Sequence, residues 1–221
     1  MLEIIPMLKI HILGMGPGSI DFIAPYVLTC IKDADILIGG KRHFQEIEVE
    51  ASGKVCQYIS SDLLGLVDYI KTNRNKKIAV LVSGDPGFYS FLVYLKKHFS
   101  NEELVVIPGL SSMQYMFCKI GLPWQDAVIK SLHGKTFDFI EALNDSGLVG
   151  VLTDSAFTPQ LIAKELVTHG LGNVLVYVGE ELSYAEEKIT TMIATQMANN
   201  ERNFGMNVVV IERTENVSYK R

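Results

Sequence analysis

The sequence predicts an α/β fold in two domains, each a mainly parallel or mixed sheet flanked by helices, and three features carry that expectation. Short apolar runs alternate with stretches of helical periodicity along the whole chain, the β-α-β rhythm of such folds. The run Lys77-Ile78-Ala79-Val80-Leu81-Val82 is continuously apolar after its first residue, as suits a strand covered on both faces of a parallel sheet. At Gly121-Leu122-Pro123-Trp124 the periodicity breaks and then restarts. That marks a junction between a first domain with glycine-rich loops, residues 1–120, and a second α/β domain, residues 121–221.

Taken in order, residues 8–13 read as a strand ended by the glycines of 14–18, and residues 25–31 as a helix. A strand over 35–38 follows, then a helix over 63–71 with Leu63, Leu66, Val67 and Ile70 on one face. After the buried strand come a helix over 91–99, a strand over 104–107 and a helix over 111–119 opened by Ser111 as N-cap. Beyond the junction the pattern gives strand 127–129, helix 137–143, strand 148–153, helix 159–168, strand 174–178 and a closing strand over 204–211. No internal repeat or low-complexity segment interrupts it.

With 48% hydrophobic and 20% charged residues, the composition is that of an ordinary soluble globular protein. At 221 residues the chain can bury a core without disulfides or structural metal. A net charge of −5 argues against a nucleic-acid partner, although a local basic patch around an acidic small molecule remains compatible with it. Cys30, Cys56 and Cys118 are far apart in apolar contexts, with no CxxC or Cys/His pair at metal-ligand spacing. They read as reduced packing residues, and no metal is expected. The start of the chain lacks a basic segment followed by a sustained apolar run, and no apolar stretch is long enough to span a bilayer. A cytoplasmic location without a membrane partner is the default expectation.

Three loops carry the functional signal. Gly14-Met15-Gly16-Pro17-Gly18 lies between a strand and a helix, where a dinucleotide loop would sit. Yet Ser19 stands where the third Rossmann glycine belongs, Pro17 lacks an N–H for a pyrophosphate, and Gly39-Gly40-Lys41 replaces the ribose-binding acid. Nor is Gly40-Lys41 a Walker loop, because Asp35 and Arg42 occupy the wrong places. Ser83-Gly84-Asp85-Pro86-Gly87-Phe88-Tyr89-Ser90 leaves the buried strand, and Pro108-Gly109-Leu110-Ser111-Ser112 leaves the strand over 104–107. Each alone is equally a plain turn or a helix cap. Three of them at the ends of three strands, on one edge of one sheet, describe a small-molecule pocket better than three unrelated turns.

In order and spacing these three segments resemble the signatures of the tetrapyrrole methylase family, over essentially the whole chain. Within that family, Gly121-Leu122-Pro123-Trp124-Gln125-Asp126-Ala127 and Ser131-Leu132-His133-Gly134-Lys135 look most like the methyltransferases that act on carbon 5 of cobalt-precorrin-7 in cobalamin biosynthesis. The resemblance implies a class III methyltransferase fold, S-adenosylmethionine held between two domains and released as S-adenosylhomocysteine, and a corrinoid substrate. It also implies a homodimer, with a separate carbon 15 methyltransferase and decarboxylase as functional partner. By position it implies cofactor contacts from Pro17, Gly84, Asp85, Phe88, Ser111 and Ser112, and from Thr153, Gly179 and Asn207 of the second domain. The chain departs from the family at Phe22-Ile23-Ala24-Pro25, where Leu-Thr is frequent, and at Lys135, where Arg is common.

For such a reaction the protein's task is mainly to hold two competent reactants in line. His133 is the candidate acceptor for the proton lost from the methylated carbon, although a lone His before a glycine more often only hydrogen-bonds within its turn. Lys41, Arg42, His43 and Lys135 could meet the substrate's carboxylates through charge-assisted hydrogen bonds, with solvated surface as the competing explanation for each. Phe88 is assigned to the pocket and Trp124 to the core at the junction. Rival readings are a methylase of the same fold acting on another ring carbon or on an acceptor such as diphthamide, and a non-catalytic nucleotide-binding module. An interaction scaffold would leave the three loops unexplained.

Overall fold

Five apolar runs of the first half assemble into one parallel sheet. In this computed structural model, which describes residues 8–132 and 137–213, β1 (Ile10–Gly14), β2 (Ile36–Gly39), β3 (Val55–Tyr58), β4 (Ile78–Val82) and β5 (Leu104–Ile107) lie in the order β3-β2-β4-β1-β5. Every neighbouring pair is parallel. All five residues of β4 are buried, because α1 (Pro25–Asp33) and α2 (Lys41–Glu46) cover one face while α3 (Leu63–Thr72) and α4 (Leu92–Leu95) cover the other. Strand residues alternate between the faces. Ile12, Ile38 and Val80 pack with Leu66, Ile70 and Leu95, while Leu13, Leu37 and Leu81 pack with Val27, Ile31 and Phe44.

The second half holds α5 (Ser112–Ile120), β6 (Val128–Ser131), α6 (Phe139–Ser146), β7 (Leu148–Leu152), α7 (Pro159–Thr168), β8 (Leu175–Glu180), β9 (Lys188–Ile193), α8 (Ala194–Ala198) and β10 (Asn207–Glu212). Its sheet runs β6-β7-β10-β8-β9 and is mixed: β6 and β7 are parallel, and the other pairs are antiparallel. Leu143, Ile162 and Leu166 of α6 and α7 pack on Val149, Val151, Val176 and Val209. Side-chain caps start both helices, with Asp138 accepting from the Glu141 N–H and Thr158 from the Leu161 N–H.

Helix α5 explains why the chain divides where it does. The compact units are Met1–Ser111 and Ser112–Arg221, so the boundary falls one helix before the junction expected at Gly121. Met113, Met116 and Phe117 of α5 are buried, and they pack where the sheet of the second unit has Gly150 and Gly179. A Cβ on Gly150 of β7 would stand 2.7 Å from the Met113 Sδ and 3.3 Å from the Phe117 ring. A helix so closely seated belongs to the unit that supplies its groove.

Other expectations need correction. The helix expected over 91–99 is only the short α4, preceded by Ser90, whose Oγ donates to the Pro86 carbonyl and accepts from the Leu92 N–H. Trp124 is not core but 44% exposed. Cys30 is a buried free thiol as a packing residue should be, whereas Cys56 and Cys118 are exposed free thiols. Among the described residues no helix is long and apolar enough to cross a membrane.

Gly150→Ala should destabilise the protein by about 1–3 kcal/mol, the usual cost of forcing an extra carbon into a filled contact. Urea unfolding would measure it, with the midpoint moving and the slope holding.

Candidate functional site

β4, β1 and β5 are adjacent and parallel, so their C-terminal ends emerge side by side with a small-residue loop after each. The loops are stitched together by backbone. The Met15 N–H donates to the Val82 carbonyl at 2.9 Å, the Gly84 N–H to the Gly16 carbonyl at 2.7 Å, and the Gly16 N–H to the Gly84 carbonyl at 3.3 Å. Contact is so close that side chains are excluded. A Cβ on Gly14 would lie 2.4 Å from the Gly109 nitrogen, and one on Gly109 would lie 2.4 Å from the Gly84 oxygen. Because the opposing atoms are backbone, no rotamer change can relieve either clash.

Asp85 braces this edge. Its Oδ1 accepts from the Gly87 N–H at 2.7 Å and its Oδ2 from the Gly109 N–H at 3.1 Å, so one carboxylate ties the second loop to the third. Such bonds from an ionised acceptor are the stronger kind. Phe88 follows, half-buried, with its ring edge-on to Tyr89 at 4.9 Å. Tyr89 is exposed and holds a left-handed φ of 49°. Pro17 is buried beside Gly16, Ser111 is buried at the end of the third loop, and Ser112 begins α5. Asp85 is the one charged residue on the three loops, which contain no Lys or Arg.

At the end of β2, the next strand outward, stands His43. Its Nδ1 accepts from the Gly40 N–H at 3.2 Å, which leaves the proton on Nε2 to be donated to the Ser83 Oγ at 2.9 Å. Burial, with the Arg42 guanidinium adding to it, lowers its pKa to about 4. The ring is therefore neutral near pH 7 and does not present the positive charge expected of it toward carboxylates. Lys41 and Arg42 beside it are exposed.

In the second unit, Thr153 just after β7 and Asn207 opening β10 meet at one end of the sheet. The Thr153 Oγ1 lies 2.7 Å from the Asn207 carbonyl and 2.8 Å from its Oδ1, and the Asn207 Nδ2 donates to the Gly205 carbonyl at 2.7 Å. Gly179 on β8 is buried under Met116 and Leu182, and a Cβ there would stand 2.5 Å from the Met116 Sδ. Packing against α5 thus accounts for that glycine. The sequence reading missed Glu180, buried at the end of β8, which accepts from Arg202 at 2.5 Å and from the Gly205 N–H at 3.0 Å. Arg202 lies over the Phe204 ring, and together these residues fix the segment leading into Asn207. The only advance signal was an acid closing an apolar strand. His133 and Lys135 lie outside the described residues.

Protonation of His43 is the pH-sensitive element here. Its folded pKa, about 4, lies below the ordinary value near 6.5, so between these values the unfolded chain binds the extra proton. Stability should be full above that window and fall as pH drops through it. Thermal melts from pH 7 to 4 are expected to show a drop that is smaller in His43→Gln, which has no ring to protonate.

A family model described as tetrapyrrole (corrin/porphyrin) methylases matches residues 9–198. The cobalt-precorrin-7 C(5)-methyltransferase of Salmonella typhimurium is 36% identical over 90% of this chain and 96% of its own. Among solved structures, a precorrin-6Y methylase of cobalamin biosynthesis from Archaeoglobus fulgidus superposes with a TM-score of 0.71 at 20% identity, covering 93% of this chain and 98% of that one. A uroporphyrin-III C-methyltransferase from Thermus thermophilus, solved with S-adenosylhomocysteine, gives 0.71 at 17% identity over 92% of both chains. Family model, relative and fold agree, and the chain belongs to the tetrapyrrole (corrin/porphyrin) methylase family.

Proposed function

We propose that this methyltransferase moves a methyl group from S-adenosylmethionine to carbon 5 of cobalt-precorrin-7, in cobalamin biosynthesis. The name of the Salmonella relative supports the substrate and the position. The observation that carries the cofactor is the edge formed by Gly14, Gly84 and Gly109 and braced by Asp85. Its three loops offer bare backbone and a carboxylate but no cation, and Pro17 withholds an N–H. That donor set suits a phosphate-free ligand with hydroxyls and a positive charge, and suits a pyrophosphate poorly.

S-adenosylmethionine supplies a methyl group on a positively charged sulfur, already a strong electrophile. Pro17, Gly84, Asp85, Phe88, Ser111 and Ser112 would hold it, and the resemblance adds Thr153 and Asn207. These residues act by orientation, with Asp85 setting the spacing of two loops through their N–H groups. Lys41 and Arg42, exposed at the end of β2, meet acidic groups of the corrinoid, as does Lys135, and His133 takes the proton released from the ring carbon. A cytoplasmic homodimer working with a separate carbon 15 methyltransferase and decarboxylase completes the reading.

Calorimetric titration with S-adenosylhomocysteine, with NADH and ATP as controls, is expected to give saturable binding of the homocysteine compound alone. Asp85→Ala, which removes the brace between two loops, should weaken it by at least about tenfold, the worth of one charge-assisted bond. Binding of NADH or ATP instead would sink the proposal. Lys41→Ala/Arg42→Ala is expected to raise KM for the corrinoid about tenfold while the affinity for S-adenosylhomocysteine stays the same, as loss of charge-assisted substrate contacts would.

A further inference from the structure

The hydrogen bonds at the C-terminal edge of the first sheet form a continuous line in strand order. It begins with the Gly40 N–H to the His43 Nδ1 and continues from the Nε2–H to the Ser83 Oγ. Gly84, the next residue, exchanges two bonds with Gly16, and Asp85 then reaches the Gly109 N–H. The ends of β2, β4, β1 and β5 are therefore joined, and of these links His43–Ser83 alone is made side chain to side chain.

We propose that His43 is a positioning residue, which uses its Ser83 bond to lock the β4 loop in the shape that takes the cofactor. This rests on the cofactor reading above and extends it to a residue outside the three glycine loops. The imidazole is built in. A Cβ on Gly39 would come within 3.2 Å of Nδ1, so the bare backbone of β2 makes room for the ring. Both ring nitrogens are engaged in a single tautomer, which is how a histidine fixes geometry rather than shuttles protons. Ser83 sits between two backbone links, the Val82 carbonyl that accepts from Met15 and the Gly84 N–H that donates to Gly16, so its hydroxyl is a handle on the loop. Helix capping alone would explain the Gly40 bond but gives no use for the Ser83 bond, 40 residues away in sequence.

The two arms can be cut separately. An amide at the Nδ1 position, in His43→Asn, keeps the bond from Gly40 and loses Ser83; one at the Nε2 position, in His43→Gln, does the reverse. Calorimetry with S-adenosylhomocysteine is expected to show His43→Asn and Ser83→Ala each about fivefold weaker than the parent, the equivalent of one neutral hydrogen bond. The double variant should be no weaker than either single one, because both cut the same bond. His43→Gln should recover most of the affinity. If His43→Asn does not fold, Ser83→Ala alone carries the test, since it removes one exposed hydroxyl. Parent-like affinity in Ser83→Ala, or additive losses in the double variant, overturns the lock and leaves the cofactor reading standing. Failure of the parent to bind S-adenosylhomocysteine overturns both.

Discussion

Backbone pressed against backbone, at the point where β1, β4 and β5 end, is the constraint on which the first unit's site depends. Three neighbouring loops leave the sheet there without room for a single added carbon at Gly14 or Gly109. Everything else at that edge follows from the contact. The Gly16–Gly84 pair extends sheet-like bonding past the strands, Asp85 satisfies amides that the turn would leave open, and His43 holds the outer flank. A site built from main chain has few side-chain torsions to order when a ligand arrives, so little entropy opposes binding.

The second unit solves a different problem with the same device. Its sheet is mixed rather than parallel, and one face is closed by α5, whose methionines and Phe117 settle on Gly150 and Gly179. Small residues here allow a helix to approach a sheet, where in the first unit they allow loops to approach each other. The glycines therefore divide into two kinds, those that seat a helix on a sheet and those that let strand-end loops meet.

Much of this was readable in advance, and the failures share a cause. β4, β1 and β5 announce themselves because each is an apolar run closed by small residues. β3 and β9 do not. Both are edge strands, and Val55-Cys56-Gln57-Tyr58 is largely exposed, so neither a continuous run nor clean alternation marks it. α2 escapes for the same reason, since Phe44 is its only buried residue. The three loops were legible as a cluster, but the partners within it were not. Asp85 meets an amide 24 residues further along the chain, and His43 meets Ser83 across two strands. Local sequence holds no trace of such distant contacts. His43 looked like one of a run of cations beside Lys41 and Arg42, and only its burial shows it to be neutral. Gly121-Leu122-Pro123-Trp124 marks a break in helical periodicity, whereas the compact units divide one helix earlier, because the buried face of α5 packs within the second unit.

The close approach of backbone at Gly14 and Gly109 also shapes how such a chain can diversify. Because a Cβ added at Gly14 or Gly109 would meet main-chain atoms, a change at either position has no compensating partner among side chains. The exposed positions Lys41, Arg42 and Gln45 of the Lys41–Glu46 helix carry no such restriction. The architecture thus sets a main-chain edge that tolerates little change beside surface positions that tolerate much, a division that lets one fold carry different sites.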